Sequence, residues 1–222
     1  AIGVDATRPL SRFNRFEFNV NHYLMLVHDE LISPGQYGGV ESSNQIYSGH
    51  LTTLHPWLNY QNLMDGPSIS WSYPGEVYHH YALGRSAVGN MIPKPTSAMD
   101  AVFKVIPDLN HKNIGSFSYR TPTAIVCSAD ITLNFKNKTS VKEIQNYFER
   151  LQENQNNNIF NNTTEPLVSL DILKSNFSCT IDHRWTDVIN ENLVKIVLWY
   201  DNEWGYSNRV VDLALLISKE LN

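Results

Sequence analysis

The chain has 222 residues, a formal net charge of −5, and 42 % hydrophobic and 11 % aromatic residues, enough for the packed core of one large domain. The charge argues against a nucleic-acid surface, and no run of about 18 apolar residues indicates a membrane span. With no basic segment leading into an apolar run near residue 1, a cytoplasmic protein without a signal peptide is expected.

The N-terminal part of the chain is predicted to be an arm followed by a helix. Residues 1–18 show no clean hydrophobic period and could pack on the domain or on a partner subunit. Residues 19–222 are predicted to form one domain, which begins with a helix over Asn19–Leu31 and a loop over 36–48. No G-x-G-x-x-G motif occurs, and the space before residue 50 is too small for a dinucleotide-binding domain.

A strand predicted over Gly49–His55 ends in a histidine. A lone histidine in this position is usually structural or solvated, but it can also be a general base because imidazole titrates near neutrality. Residues 57–91 lack a steady period and are predicted to be a long ordered loop, of a kind that often serves function or an interface. The adjacent His79 and His80 would point apart on any regular element, so no metal site is predicted.

A helix is predicted from Ser97 to about Ile106, with Thr96 or Ser97 as its cap. Its free N-terminal amides could bind an anion such as phosphate, although a plain cap explains Thr96 equally well. Residues 114–135 are rich in strand signals. Arg120, at the edge of two of these strands, is either part of a surface ion pair or an anion-binding residue.

The second half of the chain is predicted to hold one further helix before its last strands. Ser140 and Glu143 form a capping box that begins a helix reaching about residue 152. Residues 152–164 are rich in Asn and Gln and are predicted to be a mobile surface loop. Because strands outnumber helices and follow one another, an α+β fold is predicted, with a largely antiparallel sheet and helices on one face. The last three strands are placed at Leu167–Ile172, Phe177–Ile181 and Leu193–Tyr200.

The last strand leads through a polar turn, Asp201–Gly205, into a C-terminal helix. Asn202 carries amide donors and a carbonyl acceptor, a combination that suits a carboxamide ligand. Local chemistry also explains Asp201 and Asn202 as residues that close the turn and cap the helix. The helix is predicted to bury one apolar stripe, made of Val210, Leu213, Ala214 and Ile217.

Cysteine usage predicts neither disulfides nor reactive thiols. The chain holds only Cys127 and Cys179, too few for a disulfide framework. Both fall in apolar or strand-like segments, where a cysteine is typically a buried core residue.

The most specific string in the chain is LWYDNEWGYSNRVVDL at 198–213. It is similar, almost residue for residue, to the C-terminal signature of the glyceraldehyde-3-phosphate dehydrogenase family, and the chain resembles that family from about residue 19 to the C-terminus. The resemblance implies the catalytic domain of the family, a mixed, mainly antiparallel sheet with helices on one face that forms the core of a tetramer. Further matching stretches, in the family's order, include HLTTLH at 50–55, DGP at 65–67, VFKVIPDL at 102–109 and YRTPT at 119–123.

The resemblance also implies roles for five residues. In the family, a cysteine attacks an aldehyde, a histidine takes the proton, NAD accepts the hydride and inorganic phosphate releases the acyl group. By motif position, His55 matches the base, while Thr96 and Arg120 match phosphate-binding residues. Asn202 matches the partner of the nicotinamide carboxamide, and Tyr206 matches the aromatic residue beside that ring. NAD is the family's cofactor, but none is expected for this chain alone because its NAD domain is expected to be absent.

The sequence departs from the family pattern at the nucleophile and around the phosphate sites. The place of the nucleophilic cysteine falls near Arg15, and both cysteines lie far along the chain on strands, so no thiol is expected within reach of His55. Leu58 and Tyr60 stand where the family has residues that grip the substrate phosphate. Lys94-Pro95 replaces a polar pair before the phosphate-binding threonine.

These departures favour a stand-alone catalytic-domain homologue without dehydrogenase activity. It would act by binding or assembly, either with itself or with a related dehydrogenase. The alternative is one part of an NAD-dependent, phosphorylating aldehyde dehydrogenase whose nucleotide domain is supplied elsewhere. Retention of His55, Arg120 and Asn202 favours that alternative. A third interpretation is a sugar-phosphate or anion binder that uses Arg120 and Thr96.

Overall fold

The computed structural model describes residues 46–58, 61–66, 69–72, 76–79, 82, 84–96, 98–105, 109–155 and 157–220. Two 3-10 turns lie at Ser169–Ile172 and His183–Trp185. The described helices are α1 (Ala98–Val105), α2 (Val141–Asn154) and α3 (Asn202–Glu220). The described strands are β1 (Ile46–His55), β2 (Ile69–Ser72), β3 (Glu76–His79), β4 (Ile92–Lys94), β5 (Ile114–Arg120), β6 (Cys127–Phe135), β7 (Phe160–Thr163), β8 (Cys179–Asp182), β9 (Asp187–Ile189) and β10 (Leu193–Tyr200).

The main sheet runs in the order β4-β5-β1-β6-β10-β8-β7, and β9 pairs with β10. The β1–β5 and β7–β8 pairs are parallel. The pairs β1–β6, β6–β10, β8–β10, β9–β10 and β4–β5 are antiparallel. The prediction of a mixed, mainly antiparallel sheet is therefore confirmed. Strands β2 and β3 form a separate antiparallel pair.

The core lies on one face of the sheet. Alternate residues of β1, β6 and β10 are buried, as expected where side chains point to opposite faces in turn. Leu51, Ile131 and Ile196 belong to the same buried cluster as Val102 of α1 and Phe148 of α2. Helices α1 and α2 thus cover the same face of the sheet.

Two central strands approach each other very closely at Gly49. A Cβ atom at this position would lie 2.7 Å from the Thr132 carbonyl oxygen and 2.7 Å from Leu133 Cδ2. Only glycine fits this contact between β1 and β6 without movement of the backbone.

The predicted capping residue of α2 is confirmed. Ser140 Oγ accepts a hydrogen bond from the Glu143 backbone N–H at 3.3 Å, which satisfies one of the free amides at the helix N-terminus. The Ser140 hydroxyl also donates to Glu143 Oε2 at 3.0 Å. The helix then buries Ile144, Tyr147 and Phe148 against the sheet.

Predictions for the first part of the chain are tested only in part. The arm at 1–18 and the helix at Asn19–Leu31 lie outside the described residues. The loop predicted to reach residue 48 is wrong at its end, because β1 already begins at Ile46. The long loop predicted over 57–91 is also wrong in part, since β2 and β3 form a hairpin within it.

Two predictions in the second half fail where polar side chains satisfy backbone groups. The loop predicted over 152–164 contains β7, and Gln155 Oε1 accepts from the backbone N–H groups of Ile159 and Phe160 at 2.9 and 2.8 Å. The strand predicted over Leu167–Ile172 is instead a 3-10 turn at Ser169–Ile172. There Asp171 Oδ2 accepts from the Val168 N–H at 2.8 Å, which favours the turn.

The C-terminal helix is present, but most of the stripe predicted to be buried is exposed, and Leu213 is half-buried. Val210 and Ile217 are 42 % and 50 % exposed. The buried positions are instead Gly205 and Arg209, near the start of α3. Arg209 Nη1 donates to Ser178 Oγ at 3.0 Å, so the helix contacts the rest of the domain through its first turns.

Across the part of the chain that the structure describes, no helix combines the length and the apolar character that crossing a membrane requires.

Candidate functional site

Four strands bring polar side chains to one end of the main sheet. The parallel register of β1 and β5 places His55 opposite Arg120. Leu54 pairs with Ser128, so the first residue of β6, Cys127, lies beside the last residue of β1. Cys127 in turn pairs with Tyr200, the last residue of β10.

His55 and Cys127 are in direct contact. Cys127 Sγ lies 3.2 Å from His55 Nδ1. The prediction that neither cysteine is within reach of His55 is therefore wrong for Cys127. The cause is the pairing of β6 with β1, which joins residues 72 positions apart. The prediction of a buried core thiol is confirmed, since Cys127 is 2 % exposed.

Tyr200 completes this cluster. Its ring stands edge-on to the His55 ring, with centroids 6.1 Å apart and an interplanar angle of 84°. Within the described residues, its buried hydroxyl makes no well-formed hydrogen bond. Burial raises the pKa of Tyr200 well above its ordinary value, and the adjacent Cys127 adds to that effect. The hydroxyl is therefore neutral at physiological pH.

The surroundings hold both the imidazole and the thiol in their neutral forms. Burial lowers the pKa of His55 to about 4, with further lowering by the cations of Arg120 and Lys94. Burial raises the pKa of Cys127 to about 12, and the nearby Glu203 carboxylate raises it further, outweighing the opposite effect of Arg120. The contact is therefore between two neutral groups, not between a thiolate and an imidazolium.

Arg120 and Lys94 supply two cations on the β5–β4 side of this cluster, whereas the carboxylates of Asp201 and Glu203 lie on its β10 side. Arg120 Nη1 donates to the Pro56 carbonyl at 3.1 Å, which fixes the chain just after His55. Lys94, on β4, lies diagonally across from Arg120, because Ile92 pairs with Arg120 and strand side chains repeat on one face every second residue. Burial, followed by the charge of Arg120, lowers the pKa of Lys94.

Thr96 caps α1, as one of its two interpretations predicts. Its Oγ1 accepts from the Ala98 N–H at 3.2 Å. The cap uses the side-chain oxygen but leaves other amides of the first helical turn available for an anion. Because β4 runs antiparallel to β5, with Ile92 opposite Arg120 and Lys94 opposite Ser118, the chain after Lys94 leads away from Arg120.

The turn before α3 combines a cap with an unsatisfied amide oxygen. Asp201 is buried, and its Oδ1 accepts from the Trp204 N–H at 3.0 Å, while Oδ2 accepts from the Lys174 N–H at 2.9 Å. The capping role predicted for Asp201 is thus confirmed. Asn202 Oδ1 is also buried, and no described group donates to it. Tyr206, one turn along α3, is 47 % exposed.

Several other positions singled out in the sequence fall outside the part of the chain that the structure describes. Tyr60, His80 and the place of the family nucleophile near Arg15 lie outside the described residues. Leu58 is half-buried, and its N–H donates weakly to Gln61 Oε1 at 3.4 Å. In the described ranges, no group of three or more His, Cys, Asp or Glu side chains could hold a metal ion.

Cys127 and Tyr200 were not predicted as members of the site. The alternation of apolar residues along β6 and β10 predicts that both side chains are buried, and both are. The missing information is strand pairing, because only the order of β1, β6 and β10 reveals which strand ends are neighbours. Lys94 was identified as a departure from a family motif, but not as a neighbour of His55.

Comparison with known proteins identifies relatives of this chain. The family "Glyceraldehyde 3-phosphate dehydrogenase, C-terminal domain" matches residues 39–202. Cytosolic glyceraldehyde-3-phosphate dehydrogenase of Chlamydomonas reinhardtii is 37 % identical over 181 residues, which cover 82 % of this chain and 50 % of that protein. Glyceraldehyde-3-phosphate dehydrogenase of Cochliobolus heterostrophus is 39 % identical over 174 residues, or 78 % of this chain and 49 % of the relative. The chain therefore spans about half the length of the curated relatives it matches.

Proposed function

The chain belongs to the glyceraldehyde 3-phosphate dehydrogenase C-terminal domain family, and from this premise we propose a catalytic-domain homologue that lacks dehydrogenase activity. It acts by binding a phosphate-bearing ligand and by assembly with other copies of the domain. The observation that carries the proposal is the contact between a neutral, buried thiol and a neutral imidazole.

Acyl transfer through cysteine requires a thiolate that an aldehyde can reach. With a pKa of about 12, the thiolate fraction of Cys127 at pH 7 is on the order of one part in 10⁵. Its sulfur is also buried against Nδ1 of the imidazole. The other cysteine, Cys179, lies on β8 with its sulfur 3.8 Å from the Ile159 carbonyl oxygen. Neither thiol has the properties of a nucleophile.

The Arg120–Lys94 pair supports the binding half of the proposal. These residues supply two neighbouring cations on β5 and β4. Such a pair favours an anion such as the phosphate of a sugar phosphate. Phosphate would therefore bind here even though the protein does not catalyse the reaction of the family.

Exposed apolar side chains support the assembly half. Leu170 and Trp185 are exposed in the two 3-10 turns. Arg184, in the second turn, donates through Nη2 to the carbonyl of Leu167, just before the first turn, at 2.9 Å. Exposed apolar side chains often mark interfaces. The partner in this proposal is a second copy of the chain or a related dehydrogenase, and the compartment is the cytoplasm, as in relatives named cytosolic.

An activity assay tests the proposal. The protein is mixed with NAD, inorganic phosphate and glyceraldehyde 3-phosphate, and the absorbance of the reduced cofactor is followed beside an authentic dehydrogenase. We expect no turnover above the blank. Turnover that His55→Ala removes would refute the proposed lack of activity.

Gel filtration tests assembly separately. The protein is run alone and after mixing with the authentic dehydrogenase. We expect elution as an oligomer or as a mixed complex. A monomer at all concentrations that leaves the elution of the dehydrogenase unchanged would refute the assembly role.

Asn202 favours a second candidate function, the catalytic part of an active dehydrogenase. Its buried Oδ1 has no donor among the described groups, so it fits the carboxamide N–H of a nicotinamide ring. NAD, when bound, supplies the hydride acceptor, and its nucleotide domain would then lie elsewhere. Fluorescence titration with reduced NAD tests this candidate. Binding by the wild-type chain that Asn202→Ala abolishes, but Asn208→Ala on the same helix retains, would support it.

A further inference from the structure

The contact between Cys127 and His55 joins one thiol to one particular ring nitrogen. Sγ lies 3.2 Å from Nδ1, within hydrogen-bonding distance for sulfur. The residue before Cys127 adopts an unusual backbone conformation, since Val126 has φ of 69° and is buried. A β-branched residue in this region is strained, and such strain persists only where the surrounding structure enforces it. The entry of Cys127 into β6 is therefore tightly constrained.

Two arrangements of protons could satisfy this contact. In one, the thiol S–H donates to Nδ1, and the imidazole carries its proton on Nε2. In the other, Nδ1–H donates to sulfur, and Nε2 is left as a proton acceptor. The thiol keeps its own proton because it is buried. Each arrangement pairs one strong and one weak partner, since S–H is a weak donor and sulfur is a weak acceptor. The first arrangement is favoured because it keeps the ring proton on Nε2, the tautomer that a neutral histidine side chain prefers in water.

We propose that Cys127 is a positioning residue that donates its S–H to His55 Nδ1 and holds the imidazole in the Nε2–H tautomer. His55 is then a hydrogen-bond donor through Nε2, suited to an anionic ligand oxygen, and it is not a proton acceptor. The proposal goes beyond the proposed function, because the tautomer is a property of the ligand-free protein and can be measured without any activity.

The charged and titratable neighbours maintain this arrangement over a wide pH range. His55 faces Arg120 from β5 and Lys94 from β4, and both cations oppose a second proton on the ring. Cys127 faces the Tyr200 hydroxyl from β10, and the carboxylates of Asp201 and Glu203 oppose loss of its proton. The same hydrogen bond is therefore expected from about pH 5.5 to pH 8.

Long-range ¹H–¹⁵N NMR of the imidazole groups tests the proposal, because the two ring nitrogens have different shifts in the two tautomers. In the wild-type protein we expect an unprotonated Nδ1 and a protonated Nε2, unchanged between pH 5.5 and 8. Cys127→Ser retains a donor and should retain this spectrum. Cys127→Ala should lower the ratio of the Nε2–H to the Nδ1–H tautomer by about two- to tenfold, the range expected for one lost hydrogen bond.

Cys179→Ala is the matched control, since it removes the other buried thiol and leaves His55 untouched. It should give the wild-type spectrum. A wild-type protein with a protonated Nδ1 would overturn the proposal, and so would a folded Cys127→Ala variant with unchanged shifts. If Cys127→Ala does not fold, the wild-type and Cys127→Ser spectra decide: Nε2–H in both supports the proposal, and Nδ1–H in either overturns it.

Discussion

Replacing His55 with asparagine should remove part of the acid sensitivity of this protein. The folded-state pKa of His55 is about 4, because the ring is buried and lies near Arg120 and Lys94. The ordinary pKa, which applies to the unfolded chain, is 6.5. The unfolded state therefore binds a proton more readily than the folded state between these values. The free energy of unfolding is unaffected above pH 6.5 and falls as the pH decreases from 6.5 to 4.

The size of this effect follows from the two pKa values. A pH of 5 lies about 1.5 units below the pKa of the imidazole in the unfolded chain, so that imidazole is mostly protonated. The imidazole in the folded protein is mostly neutral at the same pH. At 1.36 kcal/mol per unit, the wild-type protein should lose about 2 kcal/mol of unfolding free energy through His55 between pH 7.5 and pH 5. His55→Asn has no group that titrates in this range, so its loss should be smaller by that amount.

Urea denaturation at pH 7.5 and pH 5 measures the difference. Comparing the pH dependence of two proteins cancels contributions that both share, including that of the buried His183, whose pKa is also lowered, mainly by burial. The control is His50→Asn, which removes an exposed imidazole from the same strand and leaves the surroundings of His55 intact. Equal losses of stability in wild-type protein and His55→Asn would refute the reasoning.

Three further predictions concern stability and can be measured by the same denaturation assay. Asp201→Ala should lower the free energy of unfolding by about 2–4 kcal/mol, because it leaves two backbone N–H groups without their acceptor. The control Glu203→Ala removes an exposed charge from the same helix end and should lower it much less; equal losses would contradict the capping role. Gly49→Ala should cost about 1–3 kcal/mol, since its Cβ would overlap the neighbouring strand, and a neutral result would contradict that close approach. Lys195→Ala should cost under about 1 kcal/mol, because its 2.7 Å ion pair with Asp130 is partly exposed, and a larger loss would contradict a surface role for that pair.

The sequence predicts those elements whose stabilising contacts follow a regular period. The strand Leu193–Tyr200 has the predicted bounds, because alternate apolar residues face a single core. The helix beginning after Ser140 is predicted for a similar reason, with a local cap and one apolar stripe. Resemblance to a family correctly indicates a mixed, mainly antiparallel sheet with helices on one face.

Predictions fail where distant or side-chain contacts decide the structure. Polar composition suggests a loop around Phe160, yet the Gln155 side-chain amide satisfies the backbone there and the phenylalanine is buried. The contact between Cys127 and His55 depends on which strands are neighbours, and no local pattern carries that information. The roles that the resemblance implies for Thr96, Arg120 and Asn202 remain predictions, although Arg120 lies opposite His55 in the sheet.

The position of β10 in the sheet has a consequence for biosynthesis. Among the described strands, β7 and β8 join the remainder of the sheet through β10 alone, although β10 is translated after both of them. On the ribosome, the emerging chain can pair β1, β5 and β6, but β7 and β8 remain without their neighbour β10 until it has been translated. Closure of such long-range pairings is slow and exposes unpaired strand edges. The late arrival of β10 should therefore make the nascent polypeptide depend on chaperones until β10 has emerged.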